Sequence, residues 1–199
     1  MGARGWILLV VAVVAIGLAL FAVDFPRPLS DDMAPTIRKG DLLFACRVCG
    51  QPQRGDVVLF SSPDSGPLSV RRVVALPGDR VEVHHGATLV NGQPLDDTDA
   101  GTLTLADIDP VSKQPRPFAV VVEKNGSHEY RVVRDLGVNP SGDRAPETLE
   151  DAFFVAADRR TLVRDSRDYG PVPRTSVRSI VLRVISAGDR DAVRQNRVP

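Results

Sequence analysis

The 199-residue sequence predicts a mainly β fold, built of antiparallel sheet and preceded by one apolar helix. Three observations carry that prediction. After Asp24 the chain breaks into short apolar runs separated by turn residues, without a long segment of 3.6-residue period. Its 16 prolines and 16 glycines are scattered between those runs, as suits a β domain better than a helical one. The pairs Asn91-Gly92 and Asn125-Gly126 are tight-turn signals between strand-like stretches.

Gly5 to Val23 contains no charged or strongly polar residue. As a helix it spans roughly 28 Å at ~1.5 Å per residue, close to the ~30 Å hydrocarbon core of a bilayer. Arg4 precedes it and Asp24 follows it, so the positive-inside rule leaves residues 1–4 in the cytoplasm and the bulk of the chain outside. A cleaved signal peptide is the alternative, but its apolar core is usually shorter and ends in a small-residue cleavage site. Leu20-Phe21-Ala22-Val23 offers a poor version of one. The reading is a retained single-pass anchor over 5–23 in the plasma or inner membrane.

The strands then follow in order: Asp41–Ala45, Val57–Ser61, Leu68–Leu76, Arg80–His84, Thr88–Val90, Ala119–Glu123, Glu129–Val133, Ala152–Val155 and Val177–Ile185. The less patterned stretch 86–150 reads as a β-rich insertion dividing a core of 25–85 and 151–190, and the charged tail 191–199 has no apolar pattern. Basic and acidic residues balance at 25 each, so no electrostatic signal points to nucleic acid. Cys46 and Cys49 read as a local disulfide outside the cytoplasm, or as free surface thiols. They supply half of a four-ligand zinc site. His84 and His85 would alternate across a strand, and no metal site is expected.

Four blocks carry the functional signal. Ser30-Asp31-Asp32-Met33-Ala34-Pro35-Thr36 precedes Gly40-Asp41. Gln53-Arg54-Gly55-Asp56 leads into Val57-Val58-Leu59-Phe60. Val70-Arg71-Arg72-Val73-Val74-Ala75-Leu76-Pro77-Gly78-Asp79 is followed by Leu89-Val90-Asn91-Gly92. Asp165-Ser166-Arg167-Asp168-Tyr169-Gly170 lies near the end. In this order they resemble signal peptidase I, the S26 family of membrane-bound serine/lysine-dyad enzymes that cut leader peptides from exported proteins. The resemblance runs from about residue 30 to 185. It implies a signal-peptidase-type antiparallel β core, no cofactor, and partners among exported polypeptides, signal peptides or an active signal peptidase.

The same alignment shows what has been replaced. In the family motif Ser-x-Ser-Met-x-Pro-Thr the serine before the methionine is the nucleophile; here Asp32 holds that position. The general-base lysine precedes the family arginine, matched by Arg72, and its position holds Arg71. Burial can strip a lysine of its proton, whereas a guanidinium stays protonated. In the closing block, Gly-Asp-Asn-Arg-Asp-Asn-Ser-x-Asp-Ser-Arg, the first serine orients the lysine. Val163 stands there and Ala157 at the glycine, while Asp158, Arg160, Asp165, Ser166 and Arg167 match. Asp165 and Arg167 are thus supporting positions.

Ser30, which the resemblance places at a possible oxyanion-hole position, lies roughly 6–7 Å from Asp32 on an extended segment and lacks a base. Asp31 would face the other way. Asp32 and Arg71 carry opposite charges at positions that touch in the family, and a bidentate salt bridge is expected. The alternative is that both reach solvent in an open cleft. Leu29, Met33 and Pro35 sit where the family binds the substrate strand; ordinary core packing is the alternative, and it accounts for Met33 and Pro35 equally well. A membrane-anchored member that binds or assembles exported proteins without hydrolysis is the reading; an active leader-cleaving serine-type endopeptidase is its rival, and a decaying gene a third.

Overall fold

The computed structural model describes residues 3–64, 68–108, 115–136 and 142–186. The tail 191–199 lies outside them. Helix α1 covers Ala3–Phe21. It ends before the expected Val23 because Val23 and Asp24 form a short strand, β1, against Cys46 and Ala45. Among the described residues no helix is long and apolar enough to cross a membrane.

The remaining strands are β2 (Leu42–Cys46), β3 (Val57–Ser61), β4 (Leu68–Ala75), β5 (Arg80–His84), β6 (Ala87–Val90), β7 (Gln93–Pro94), β8 (Asp96–Ile108), β9 (Pro115–Asn125), β10 (His128–Asp135), β11 (Arg144–Thr148), β12 (Ala152–Ala156), β13 (Val172–Pro173) and β14 (Val177–Ser186). A single-turn helix, α2 (Ser166–Tyr169), and a 3-10 turn, Arg174–Ser176, complete the described chain. The fold is mainly β, with antiparallel pairing between its strands.

A seven-stranded sheet in the order β1-β2-β14-β3-β4-β12-β13 joins segments from both ends of the chain. The long strands β8, β9 and β10 form a second sheet, and β5, β6, β7 and β11 a third. Arg80–His84, read from sequence as core, therefore pairs with strands from the stretch read as the insertion. Strand β3 appears in sequence as an unbroken apolar run because both its faces are covered. Val57 and Leu59 pack with Met33, Ile37, Leu43 and Val181, while Val58 and Phe60 pack with Val73, Phe153 and Val155.

Three Gly-Asp pairs fix the turns that enter β2, β3 and β5 by one device. Gly40, Gly55 and Gly78 have φ of 81°, 90° and 93°, a region that suits glycine. The aspartate after each accepts a hydrogen bond from the backbone three residues back: Arg38 N to Asp41 Oδ2 at 2.8 Å, Gln53 N to Asp56 Oδ2 at 2.8 Å, and Leu76 N to Asp79 Oδ2 at 2.7 Å. Its own N–H donates to the carbonyl of that same residue. At Gly55 a methyl group would also lie 2.5 Å from His128 Cβ.

The hairpin at Asn91-Gly92 has φ of 55° and 79° between the paired Val90 and Gln93, as a type I′ turn requires. The expected turn at Asn125-Gly126 is shifted by one residue. Asn125 pairs with His128, leaving Gly126-Ser127 as the loop, and Asn125 Nδ2 instead donates to Val74 O at 2.8 Å. Cys46 and Cys49 are joined in a disulfide, and no group of side chains suited to a metal is found among the described residues.

Candidate functional site

A cleft of about 710 Å3 opens over β3 and β4, with walls from the Pro26–Met33 segment and from Leu162–Arg164. The segment bearing Asp32 is a series of turns and not the extended strand expected. Ala34 N donates to Asp31 O and Ile37 N to Met33 O, and Arg159 N donates to Asp32 O at 3.0 Å. Asp31 points away from the cleft, where its Oδ1 accepts from Arg38 Nε at 3.0 Å and Lys39 N at 2.9 Å. Ser30 and Asp32 both line the cleft.

Arg71 and Arg72 are neighbours on β4, and successive strand residues project to opposite faces, so their guanidiniums part. Arg71 Nη2 donates to Asp32 Oδ2 at 2.9 Å and to Arg164 O at 3.1 Å, and its Nη1 donates to Val70 O at 2.8 Å. The pair is joined by one hydrogen bond and is not the bidentate fork expected, because the second terminal nitrogen is turned to a carbonyl. Arg71 Nε is buried without a partner. The Asp32 side chain is 31% exposed and that of Arg71 only 10%.

Arg72 forms the buried fork. Its Nε and Nη2 donate to Asp158 Oδ1 and Oδ2 at 2.8 and 2.7 Å, and its Nη1 to Gly55 O at 2.7 Å. Its guanidinium lies 4.2 Å from the centre of the Tyr130 ring. Burial, seconded by the Glu123 charge, pushes the Tyr130 phenol up to about 12.

The closing block supports the cleft from beneath. Asp165 caps α2 and accepts from Arg167 Nε and Nη2 at 2.9 and 2.7 Å and from Ala157 N at 2.9 Å. Burial would raise its carboxyl, but Arg167 and the backbone donors hold it below the usual range. Arg167 Nη1 in turn holds Arg160 O at 2.8 Å, and Arg160 is locked to Glu123 on β9 through two hydrogen bonds.

The other sequence-singled residues fall in two groups. Leu29, Met33 and Val163 line the cleft. Leu29 is 84% exposed, whereas Met33 is buried in the core cluster below. Pro35 is buried and does not line the cleft, which places it in the packing. Sequence reasoning missed Asp64, Arg164 and Tyr169, all of which line the cleft. Arg164 supplies the carbonyl that Arg71 grips, and its guanidinium meets Asp64 at 3.0 Å. Tyr169 lines the cleft from α2. Burial, working against the nearby Arg71 cation, raises its phenol well above the ordinary range. The aromatic in Asp-Ser-Arg-Asp-Tyr was the available signal for it. No lysine lines the cleft among the described residues, and both of its carboxylates, Asp32 and Asp64, are paired with arginines.

The family model described as "Signal peptidase, peptidase S26" matches residues 3–185. The chain belongs to the signal peptidase family. This family member is 31% identical over 177 residues to the signal peptidase I of Leptolyngbya laminosa, covering 83% of this chain and 70% of that one. It is 41% identical over 100 residues to a probable signal peptidase I-1 of Synechocystis, covering 44% of this chain and 51% of the relative, about half its length. It is 26% identical over 169 residues to the signal peptidase I of Bacillus licheniformis, covering 82% and 77% respectively. A solved signal peptidase I from Enterococcus faecalis is 24% identical, with 67% of this chain and 98% of that one covered and a TM-score of 0.39, a likeness too slight to bear on the cleft.

Proposed function

We propose that this signal peptidase family member holds extended segments of exported polypeptides in its cleft without cutting them, with the cleft outside the cytoplasm. Its attachment to the membrane is read from the uncharged stretch Gly5–Val23 and from the family, not from the length of α1. The observation that carries the reading is the contact between Arg71 Nη2 and Asp32 Oδ2. The resemblance assigns these two positions to the base and the nucleophile. Amide hydrolysis by the family route needs a neutral amine to take a hydroxyl proton, and a guanidinium is always charged. Asp32 and Asp64, the carboxylates lining the cleft, are each paired with an arginine. Val163 presents an apolar side chain where the family places the hydroxyl that orients the lysine.

The cleft keeps what peptide binding requires. Leu29, Leu59, Leu68, Val70 and Leu162 give it apolar walls, suited to an extended chain held by its side chains and backbone. The Cys46–Cys49 disulfide fits an oxidising compartment. Family membership by itself favours the rival reading, a leader-cleaving endopeptidase.

The deciding experiment incubates the detergent-solubilised full chain with a leader-bearing preprotein. Cleavage is followed by mass spectrometry and contact by a photo-crosslinker at residue 162. Crosslinking without cleavage is the expected result. Cleavage at the leader junction that disappears in Asp32→Ala overturns the reading.

A further inference from the structure

The Cys46–Cys49 disulfide closes a loop with a sequence separation of 3 at the end of β2. A disulfide stabilises a fold more the longer the loop it closes, so this one contributes little as a staple. The corner is held without it. Cys46 pairs with Val23 on β1 and with Ile180 on β14. Arg47 N donates to Ala22 O at 2.8 Å, and the Arg47 guanidinium is forked onto Asp24. Reduction therefore leaves Cys46 in its strand position, with Cys49 near enough to close the bond again.

The two cysteines differ in exposure. Cys46 is 5% exposed, whereas Cys49 is an exposed residue. Val48 beside it is 67% exposed. Gly50 after it, at φ 95°, has nothing beyond its chain neighbours within 4 Å of where a Cβ would stand. An incoming group thus meets Cys49 first. Cys46 lines a cavity of about 200 Å3 bordered by the guanidiniums of Arg47, Arg174 and Arg178. Asp24 takes the forks of Arg47 and Arg178. The acidic neighbour of Arg174 is Asp151, 3.7 Å away and 71% exposed, so solvent screens that attraction. Three guanidiniums against two carboxylates leave the surroundings of Cys46 electropositive. Reactive cysteines sit in such surroundings, because a cation favours the thiolate over the thiol.

We propose that Cys46–Cys49 is an exchange-active disulfide that oxidises thiols outside the cytoplasm. The compartment is that of the proposed function; the exchange itself does not use the cleft. A thiolate attacks Cys49 Sγ, and the Cys46–Cys49 bond breaks as the mixed disulfide forms. The electron pair leaves on Cys46 Sγ, which takes a proton from water. A second thiolate attacks the sulfur of the bound thiol, so that a new disulfide forms and Cys49 departs as thiolate. Two thiols are oxidised by two electrons and the cysteine pair is reduced by two. Exchange with a further disulfide, run in reverse, restores the bond. The excess positive charge stabilises the departing Cys46 thiolate, and a better leaving group speeds exchange. Cysteines of polypeptides and small thiols share this chemistry.

The full chain in nonionic detergent is mixed at neutral pH with a reduced peptide carrying two cysteines, and oxidised glutathione serves as the restoring disulfide. Peptide disulfide is counted by mass spectrometry after acid quenching. Its formation is expected to run at least about tenfold faster than with glutathione alone, and to fall to that background in Cys46→Ser and in Cys49→Ser. Cys46→Ser should instead be trapped as a mixed disulfide between Cys49 and glutathione. Cys49→Ser, whose remaining thiol is buried, should be trapped far more slowly. Arg174→Gln should slow exchange severalfold at an unchanged melting temperature, and reduction of the native protein should lower that temperature by only a few degrees. If reduced glutathione opens the bond but the peptide gains none, the exchange site stands and its substrate is the small thiol. A bond that neither thiol opens within hours in the folded protein, equal trapping of the two variants, or loss of the fold on reduction overturns the proposal. An unchanged rate in Arg174→Gln overturns the part assigned to the cation.

Discussion

Arg71 holds Asp32 through a single hydrogen bond of 2.9 Å and grips the carbonyls of Val70 and Arg164 with its other terminal donors. The two partners differ in what the loss of the other would cost. Asp32 has water at hand, whereas the Arg71 side chain is nine-tenths buried. Asp32→Ala leaves a buried cation facing carbonyls only and is expected to cost about 1–3 kcal/mol. The electrostatic part of Arg71→Ala stays within about 1 kcal/mol, with lost packing added. The double variant should cost less than the sum of the two. Urea denaturation of the four proteins measures this, and additivity within ~0.3 kcal/mol excludes the coupling.

Restoring hydrolysis requires more than a nucleophile. Asp32→Ser places a hydroxyl in the cleft beside a guanidinium that cannot accept its proton, so preprotein remains uncut. Asp32→Ser with Arg71→Lys supplies both groups and should give slow cleavage. Adding Val163→Ser, which returns a hydroxyl beside the amine, should raise that rate about 10-fold or more, within the usual range for a positioned proton-transfer group. Cleavage by the single Asp32→Ser variant, seen on gels over hours, would show that another base serves the cleft.

Gly55 meets two demands that an alanine fails together. Its φ is 90°, and its Cβ would stand 2.5 Å from His128 Cβ on β10. Left-handed backbone costs about 1–2 kcal/mol for an ordinary residue, and overpacking about 1–3 kcal/mol. Gly55→Ala is therefore expected to lose at least ~2 kcal/mol in chemical denaturation. It should also disturb Arg72, whose Nη1 bonds the Gly55 carbonyl. A loss below ~0.5 kcal/mol would rule out the close approach.

Acid should loosen the frame beneath the cleft. Burial alone would raise the carboxyls of Glu123, Asp165 and Asp79. The guanidiniums of Arg160, Arg167 and Arg54 respectively, with further donors, bring each below its usual value. A depressed carboxyl contributes stability that is complete above its unfolded pKa, roughly 4, and disappears as pH falls through the folded value. The urea midpoint should be flat from neutral pH to about 5 and fall below about 4. Glu123→Gln should flatten that fall. A midpoint unchanged between neutral pH and pH 3 contradicts the arrangement.

Much of this was legible in the sequence because the signals were local. Val57–Ser61 is a short apolar run and Arg80–His84 alternates polar and apolar residues; both are bounded by turn residues, and the structure keeps their limits. The opposition of Asp32 and Arg71 was readable because two motif positions carried charges of opposite sign. Strand β8 was not legible. Asp96, Asp97 and Asp99 disfavour a strand, and long-range pairing with β9 imposes one. Arg144–Thr148 becomes a strand by pairing with β5, more than fifty residues earlier. The fork from Arg160 to Glu123 joins positions 37 residues apart, and no local pattern announces it. Helix α2 is a single turn, too short for a period, although Asp165 and Asp168 spell its capping box.

Arg71 fastens three stretches of backbone that the chain order keeps apart: the turn at Asp32, its own strand at Val70, and the loop at Arg164. A lysine ammonium is a point donor on a flexible stem and has no planar fork to span all three. A protein engineered toward proteolysis at this position would therefore trade rigidity for reactivity, and its catalytic version would begin as the looser of the two.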